Sequence, residues 1–261
     1  MSDLANEPSY FTWHELLTTD MAAATQFYCD VVGWTAEDTG PQGNGYVLFN
    51  AHGQGVAGLM DIPEEAAKHG ARPAWMGYIA VDDVDAAAKR VTQEGGKVMR
   101  EPTEVPGIIR FAVVTDPQGA AFLIAKGLSA NAPLALPIGT QGTIGWRELY
   151  ANDWKTAFPF YEKMFGWTKA DAIDMGPMGT YQLFAAGAQP IGGMMTKPPQ
   201  MPAPPHWGFY FNVPAIDAGA ARVTAGGGKI TNGPLEVPGG QWVVNAMDPQ
   251  GAHFSLVAPK R

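Results

Sequence analysis

The sequence predicts an α+β fold in two tandem domains, each made of two βαβββ units with helices on the outside of a curved sheet. Two observations carry this prediction. The chain repeats its own motifs in the same order, and each copy alternates between the period of a strand and that of a helix. Gly- and Pro-rich stretches separate the strand patterns, as turns do.

The repeat can be followed residue by residue. Residues of the first copy recur 133 positions later in the second: Trp13, Glu15, Leu16, Asp20, Phe27, Tyr28, Gly33 and Trp34 return as Trp146, Glu148, Leu149, Asp153, Phe160, Tyr161, Gly166 and Trp167. Asp116-Pro-Gln-Gly119 returns 132 positions later as Asp248-Pro-Gln-Gly251. Offsets change only in Gly- and Pro-rich stretches, where loops absorb length cheaply. We expect a domain at 8–127, a linker at 128–140 and a second domain at 141–258.

The first unit of each domain begins with a strand and a helix. Trp13 to Thr18 has the pattern of a short strand, and Asp20 is suited to cap a following helix. The helix is predicted over Met21 to Val32, with Gly33 ending it. Three strands follow, near Thr35–Glu37, Tyr46–Asn50 and Gly55–Asp61.

The second unit repeats this order with a shorter helix. A strand is predicted over Met76–Val81 and a helix over Val84–Glu94, which ends at a pair of glycines. The last three strands are predicted at Lys97–Met99, Arg110–Thr115 and Ala121–Ala125. A turn at Asp116-Pro-Gln-Gly119 uses Pro and Gly where their backbone preferences fit.

Composition excludes several classes of partner and site. The 261 residues are 46% apolar and carry a net charge of −8. Disorder is excluded for most of the chain, and nucleic acid and anionic membranes are unexpected partners. The single cysteine, Cys29, excludes an internal disulfide and a cysteine-based zinc site. No secretory signal pattern is present at the start, so we expect a cytoplasmic protein.

The doubled pattern resembles a known superfamily. Paired βαβββ units, Asp-x6-Phe-Tyr in the first helix, Gly-Trp after it and Asp-Pro-x-Gly before the last strand are similar to the vicinal oxygen chelate proteins. These include glyoxalase I, bleomycin-resistance proteins and extradiol dioxygenases. The doubled Trp-x-Glu-Leu strand is most similar to tandem-domain members, among them a secreted mycobacterial glyoxalase-like antigen and putative hydroxylases of streptomycetes. The resemblance implies eight strands per domain, curled into an open cup.

The resemblance also implies where a divalent metal would bind. Its enzymes hold the ion with His, Gln or Glu on the first, fourth, fifth and eighth strands. The fourth-strand positions fall in Val56–Met60 and Ile191–Met195, without such a residue. The other positions are Trp13, Met76 (or Trp75) and Leu123 in the first domain, and Trp146, Gly208 (or Trp207) and Ser255 in the second. We therefore expect no metal cofactor.

Glu15 and Glu148 are the first candidates for chemistry. Each stands two residues after a tryptophan, so strand alternation turns it to the same side as that tryptophan. A carboxylate among apolar residues is suited to general acid or base catalysis. The alternative is structural, in which each glutamate accepts hydrogen bonds or pairs with an arginine.

His253 is the second candidate. It stands two residues before Ser255, so the two side chains should share the inward face of the last strand. It has no counterpart in the first domain, where Ala121 stands. His253 and Glu148 could form a proton-transfer pair, which would place an active site in the second domain. The alternative is an ordinary rim or core histidine.

The remaining candidates are predicted to be structural. His14 should face outward, like its counterpart Arg147, and the other histidines should lie at the surface: His52, His69 and His206. Cys29 has no neighbouring base in the sequence. Most tryptophans should belong to the core, with Trp13 and Trp146 on cup walls. Tyr46 and Tyr181 could line a flat aromatic ligand.

Three functions remain open. The first is a metal-free protein that binds a small hydrophobic or aromatic molecule in a cup, with Trp13, Glu15, Trp146, Glu148, His253 and Ser255 as ligand contacts. The second is a glyoxalase-like lyase or a hydroxylase or dioxygenase, with Glu148 and His253 as catalytic residues. The third is a protein-interaction module without a ligand. Tandem copies can mimic a homodimer, so a monomeric pseudo-dimer and a homodimer are both compatible.

Overall fold

The computed structural model describes residues 9–39, 45–128, 136–137, 139–201 and 203–261. Most of the predicted linker therefore lies outside the described residues. In chain order the first domain contains β1 (Phe11–Thr18), α1 (Met21–Val32), β2 (Thr35–Asp38), β3 (Val47–Ala51), β4 (Gln54–Asp61), α2 (Glu64–Lys68), β5 (Ala74–Ala80), α3 (Val84–Gln93), β6 (Lys97–Val105), β7 (Ile109–Thr115) and β8 (Ala121–Gly127).

The second domain repeats this order without a counterpart of α2. It contains β9 (Ile144–Ala151), α4 (Trp154–Phe165), β10 (Thr168–Asp174), β11 (Thr180–Ala185), β12 (Pro190–Thr196), β13 (His206–Asn212), α5 (Ile216–Ala225), β14 (Lys229–Val237), β15 (Gln241–Met247) and β16 (His253–Ala258). Each domain has one eight-stranded sheet, in the orders β2-β3-β4-β1-β5-β8-β7-β6 and β10-β11-β12-β9-β13-β16-β15-β14. The predicted α+β fold with two tandem eight-stranded domains is confirmed.

The predicted helix signals form as the sequence indicates. The Asp20 side chain accepts a hydrogen bond from the Ala23 backbone N–H, and Gly33 ends α1 in the left-handed conformation at φ 90°. Asp153 and Gly166 do the same for α4. Among the described residues no helix is long and apolar enough to cross a membrane.

By contact density the chain divides into two compact units that do not coincide with the two repeats. Unit one comprises Met1–Thr12, Gly77–Ala132 and Arg147–Trp207. Unit two comprises Trp13–Met76, Pro133–Trp146 and Gly208–Arg261. Each unit therefore combines the first βαβββ segment of one repeat with the second segment of the other.

A buried hydrogen-bond chain anchors each unit. In unit two the Trp75 indole N–H donates to the Tyr28 hydroxyl at 2.8 Å, and that hydroxyl donates to Asp248 at 3.0 Å. The other oxygen of Asp248 accepts two backbone N–H groups, from Gln250 and Ala252. Since the Asp belongs to the second repeat and the Tyr to the first, the turn motif of one repeat holds the helix of the other.

Unit one contains an equivalent chain of hydrogen bonds. Trp207 donates to Tyr161 at 3.1 Å, and Tyr161 donates to Asp116 at 3.0 Å. Burial is the largest cause that raises the pKa of the Asp116 carboxyl above its usual value, and the same holds for Asp248. The repeated Phe-Tyr and Asp-Pro-Gln-Gly motifs are therefore hydrogen-bonded to each other in the core of each unit.

Aromatic rings surround both anchors on the helix-bearing face of the sheets. Around Tyr28 in unit two lie Phe27, Trp34, Phe49, Trp75, Phe211 and Phe254. Around Tyr161 in unit one lie Phe122, Phe160, Phe165, Trp167 and Trp207. The expectation that most tryptophans belong to the core is confirmed for Trp34, Trp75, Trp167 and Trp207, all nearly inaccessible to solvent. The side chains that alternate with these face away from the helices, and we call that side the open face.

Candidate ligand-binding site

Glu15 lies on the open face of unit two in a group that we call the Glu15 cluster: Trp13, Glu15, Tyr46 and Gly58. Glu15 is buried, with 7% of the residue exposed. The Tyr46 hydroxyl donates a hydrogen bond to Glu15 and accepts one from the Trp13 indole N–H at 3.0 Å. Trp13 and Glu15 therefore share a face, as strand alternation predicts, and Tyr46 links them.

The electrostatics of the cluster keep Tyr46 protonated. Burial is the largest cause that raises the pKa of the Tyr46 phenol, and the negative charge of Glu15 raises this pKa further. The hydrogen bond from Trp13 opposes both effects and lowers the pKa. The phenol is therefore a hydrogen-bond donor at neutral pH rather than a nucleophile or base.

Gly58 creates the space for this arrangement. It is the strand partner of Glu15 across β1 and β4, and any Cβ at this position would collide with the Tyr46 ring and hydroxyl. The Tyr46 ring therefore crosses directly over the backbone of β4. A larger residue at position 58 would displace the phenol from Glu15.

Unit one contains the counterpart, which we call the Glu148 cluster: Glu148, Tyr181 and Gly193. Glu148 is 5% exposed and pairs with Gly193 across β9 and β12. A Cβ on Gly193 would collide with the Tyr181 ring. The same three residue types thus occupy the same positions in both repeats.

Trp146 lies in unit two, on the open face of its sheet. It packs against the cluster of Tyr210, Val243 and Val257, together with Val237. Trp146 is partly exposed. It therefore presents an indole surface beside the last strands of the second sheet.

Ser255 and His253 lie on β16 in unit two. Ser255 is buried, and its hydroxyl oxygen accepts a hydrogen bond from Asn245 Nδ2 at 2.8 Å. His253 is the first residue of the strand, paired with Met247, and is exposed. Its exposure agrees with a rim position, and its pairing with Glu148 stays a prediction.

Of the positions that the resemblance assigns to metal ligands, only Ser255 offers a side-chain oxygen, and that oxygen accepts a hydrogen bond from Asn245. Trp75 points to the helix side, where it bonds Tyr28, so Met76 is the open-face residue. Trp13 uses its N–H on Tyr46, and Leu123 is a buried hydrocarbon. Hard divalent cations take imidazole or oxygen ligands, which indole, leucine and glycine do not offer. Within the described ranges, no group of three His, Cys, Asp or Glu residues is placed to hold a metal ion.

The outward orientation predicted for His14 is wrong. His14 is 4% exposed and lies edge to face with Phe209, ring centroids 4.8 Å apart. Its counterpart Arg147 is also drawn inward, and burial lowers the pKa of its guanidinium to about 10. The burial of both side chains follows from strand alternation. His14 lies on the face opposite Trp13 and Glu15, so it must enter the helix-bearing layer, and Arg147 occupies the matching position of β9.

The other histidines and the cysteine have ordinary environments. His52 and His69 are exposed, as expected. His206 is only partly exposed, because its ring stacks on Tyr150 at 5.0 Å. Burial raises the pKa of the Cys29 thiol, with Asp30 adding to the effect. Cys29 is therefore not a thiolate nucleophile.

Sequence reasoning missed the link between the tyrosine, the glutamate and the glycine. Tyr46 and Tyr181 were expected only as lining residues, and Gly58 and Gly193 were not singled out. Both pairs share the same 135-residue offset. That common offset was the available signal, since a glycine and a tyrosine that recur together indicate a close approach.

Comparison with known proteins agrees with this fold. Residues 10–124 and 143–256 each match the Glyoxalase/Bleomycin resistance protein/Dioxygenase superfamily. The chain is 37% identical to the putative glyoxylase CFP32 of Mycobacterium tuberculosis, over 95% of this chain and 94% of that protein. It is 34% identical to the anthracycline biosynthesis protein DauV of Streptomyces sp. strain C5, over 96% of this chain and 93% of that protein.

Two solved structures share the fold at low sequence identity. The Mn(II)-bound glyoxalase from Novosphingobium aromaticivorans has a TM-score of 0.67 and 19% identity, and the match covers 96% of this chain and 83% of that one. Homoprotocatechuate 2,3-dioxygenase from Brevibacterium fuscum has a TM-score of 0.67 and 16% identity, and covers 99% and 83%. This chain is a tandem-domain member of the Glyoxalase/Bleomycin resistance protein/Dioxygenase superfamily.

Proposed function

We propose that this protein binds a small, largely aromatic molecule on the open faces of its sheets, without a metal ion. The observation that carries the proposal is the Glu15 cluster. At the position where a metal ligand would stand, Trp13 instead donates to Tyr46, and Tyr46 donates to the nearby carboxylate. The indole N–H and the phenol are thus paired within the cluster and leave aromatic surface around them.

The same residue types support a ligand with a flat ring. Indole and phenol rings give large contact areas and stacking surfaces at low entropic cost. Open-face methionines supplement them, Met60 on β4 and the buried Met195 on β12. Thioethers adapt to irregular aromatic ligands.

The names of relatives support the same class of ligand. DauV is named for anthracycline biosynthesis, and anthracyclines are polycyclic aromatic hydroxyquinones. The superfamily description includes bleomycin resistance. A hydroxyanthraquinone is therefore a suitable first probe.

The test is a calorimetric titration of the chelator-treated protein with the hydroxyanthraquinone emodin. We expect saturable binding, weakened about tenfold by the double variant Tyr46→Phe/Tyr181→Phe, because it removes the phenol that donates to Glu15 and its counterpart in unit one. Tyr10→Phe is the matched control, since it removes the hydroxyl of an exposed tyrosine; it should bind as the wild type does. An absence of binding to the wild type, or equal affinity in all three proteins, would contradict the proposal.

A further inference from the structure

The second βαβββ segments of the two repeats carry matching rows of side chains with different chemistry. In unit two the row runs across β13, β16, β15 and β14 and consists of Tyr210, Ser255, Asn245 and Asn232. We call it the amide row. In unit one the row in the same register consists of Tyr78, Leu123, Val113 and Arg100.

The amide row is one hydrogen-bonded network. Asn245 Nδ2 donates to Ser255 Oγ at 2.8 Å and to the Tyr210 hydroxyl at 3.2 Å. Asn232 Nδ2 donates to Asn245 Oδ1 at 3.3 Å. Four uncharged polar side chains are therefore held together on one face of the sheet.

That face is the open one. The residues that alternate with Ser255 enter the helix-bearing layer, where Phe254 packs against Phe27 and Tyr28. Leu256 reaches Gly219 of α5. Ser255 and its row partners consequently face away from the helices.

The fold does not require polar residues in this row. Unit one places Leu123 and Val113 at the matching positions with the same strand pairing. Replacing a leucine by a serine on a buried strand costs stability unless the hydroxyl has a hydrogen-bond partner. In unit two that partner lies within the row, since Asn245 donates to both Ser255 and Tyr210. The row thus adds a polar strip to the open face that the fold itself does not need.

We infer that the amide row and the adjacent Trp146 form a recognition site for the oxygen-bearing edge of an uncharged aromatic ligand, a ring ketone or a phenol. Trp146 packs with Tyr210 and offers the ring surface. Ser255 accepts from Asn245, so its rotatable hydroxyl proton can be donated to a ligand oxygen. The row of unit one offers hydrocarbon instead, so the repeats differ in selectivity. This inference rests on the proposed function and names its ligand class.

The test compares two probes that differ by one oxygen, 1-naphthol and naphthalene, by calorimetric titration. The variant Asn245→Val/Ser255→Leu installs the residues that unit one already has at these positions. We expect it to bind 1-naphthol about tenfold more weakly than the wild type does. Its affinity for naphthalene should stay within about twofold, because the ring surface remains.

Two further variants control for misfolding and for effects of substitution outside the amide row. Ser255→Ala removes a single hydroxyl and should weaken 1-naphthol binding about threefold. The reciprocal variant Val113→Asn/Leu123→Ser leaves the amide row intact and should keep the wild-type affinity for 1-naphthol. Thermal unfolding of each variant checks that it is folded.

The outcomes separate the two proposals. If neither probe nor emodin binds the wild type, the proposed function itself is wrong. If the probes bind but Asn245→Val/Ser255→Leu weakens both equally, or neither, the aromatic-binding function stands and the role of the amide row is overturned. Selective loss of 1-naphthol supports the inference.

Discussion

The two halves of each repeat differ in how closely their open-face residues match those of the other repeat. In the first halves, the Glu15 and Glu148 clusters use the same residue types in the same strand register. In the second halves, Ser255 and Asn245 stand where the other repeat has Leu123 and Val113. The first halves therefore supply a common surface, whereas the second halves differ in the chemistry of their open faces, the difference to which we assign selectivity in our proposal.

Removal of either anchor aspartate should destabilise the protein most, and it tests whether the two buried anchors are equivalent. Asp116→Ala and Asp248→Ala should each lower the free energy of unfolding by about 3 kcal/mol, because each carboxylate accepts from a buried tyrosine and two backbone N–H groups. Urea denaturation measures this, with Asp82→Ala at an exposed aspartate as the control. A large loss for only one anchor would break the equivalence of the units.

Adding a methyl group to the glycine of each cluster tests the close approach of the tyrosine ring. Gly58→Ala and Gly193→Ala should each cost about 1–3 kcal/mol of unfolding free energy, since the new methyl group collides with the tyrosine ring. Gly127→Ala is the matched control, because a Cβ there meets open space. Loss in one repeat alone would show that the clusters are not copies.

The pH dependence of stability tests the environment of the anchors. Burial raises the pKa of Asp116 and Asp248 in the folded state, so the native protein binds more protons than the unfolded chain at pH values just above about 3.9. Their contribution is therefore fully present below that pH and is lost as the pH rises through the raised pKa.

Asp116→Asn/Asp248→Asn removes this titration. Compared with the wild type, the variant should gain relative stability as the pH rises from about 4 to 7. Urea midpoints at several pH values measure the difference. A difference that stays constant, or that changes in the opposite direction, would contradict the raised pKa values.

The smallest effect concerns the hydrogen bond from Trp13 to Tyr46. A double-mutant cycle of Trp13→Phe and Tyr46→Phe should give a coupling energy of about 1 kcal/mol, the usual net value of such a bond. Stability measurements on the two single variants and the double variant provide it. Strictly additive losses would show that the bond does not stabilise the cluster.

The sequence predicted the repeat, the strand and helix order, and the caps well, because these follow from local patterns. Asp20 and Gly33 bound α1 as expected. Strand lengths were less predictable, since β6 extends from the expected Lys97–Met99 to Val105 through pairing with β7. Helix α2 was missed, because its short run of charged and small residues has no buried side of its own.

The candidate site was predicted only in part. Alternation placed Trp13 and Glu15 on one face and His14 on the other, but that other face is the helix-bearing layer rather than solvent, so His14 enters the core. The tyrosine that joins Trp13 to Glu15 is separated from Trp13 by 33 residues of chain. The amide row joins residues from four strands, and such long-range pairing is set by sheet register rather than by local sequence.

Metal content and emodin binding, measured on the same purified sample, test whether this protein binds an aromatic ligand without a metal ion. Mass spectrometry of the protein after incubation with Zn2+, Ni2+, Fe2+ and Mn2+ and removal of free ions is followed by titration with emodin. We expect far less than one retained ion per chain and an emodin affinity that the chelator does not change. About one retained ion per chain, with emodin binding lost when it is removed, would contradict it.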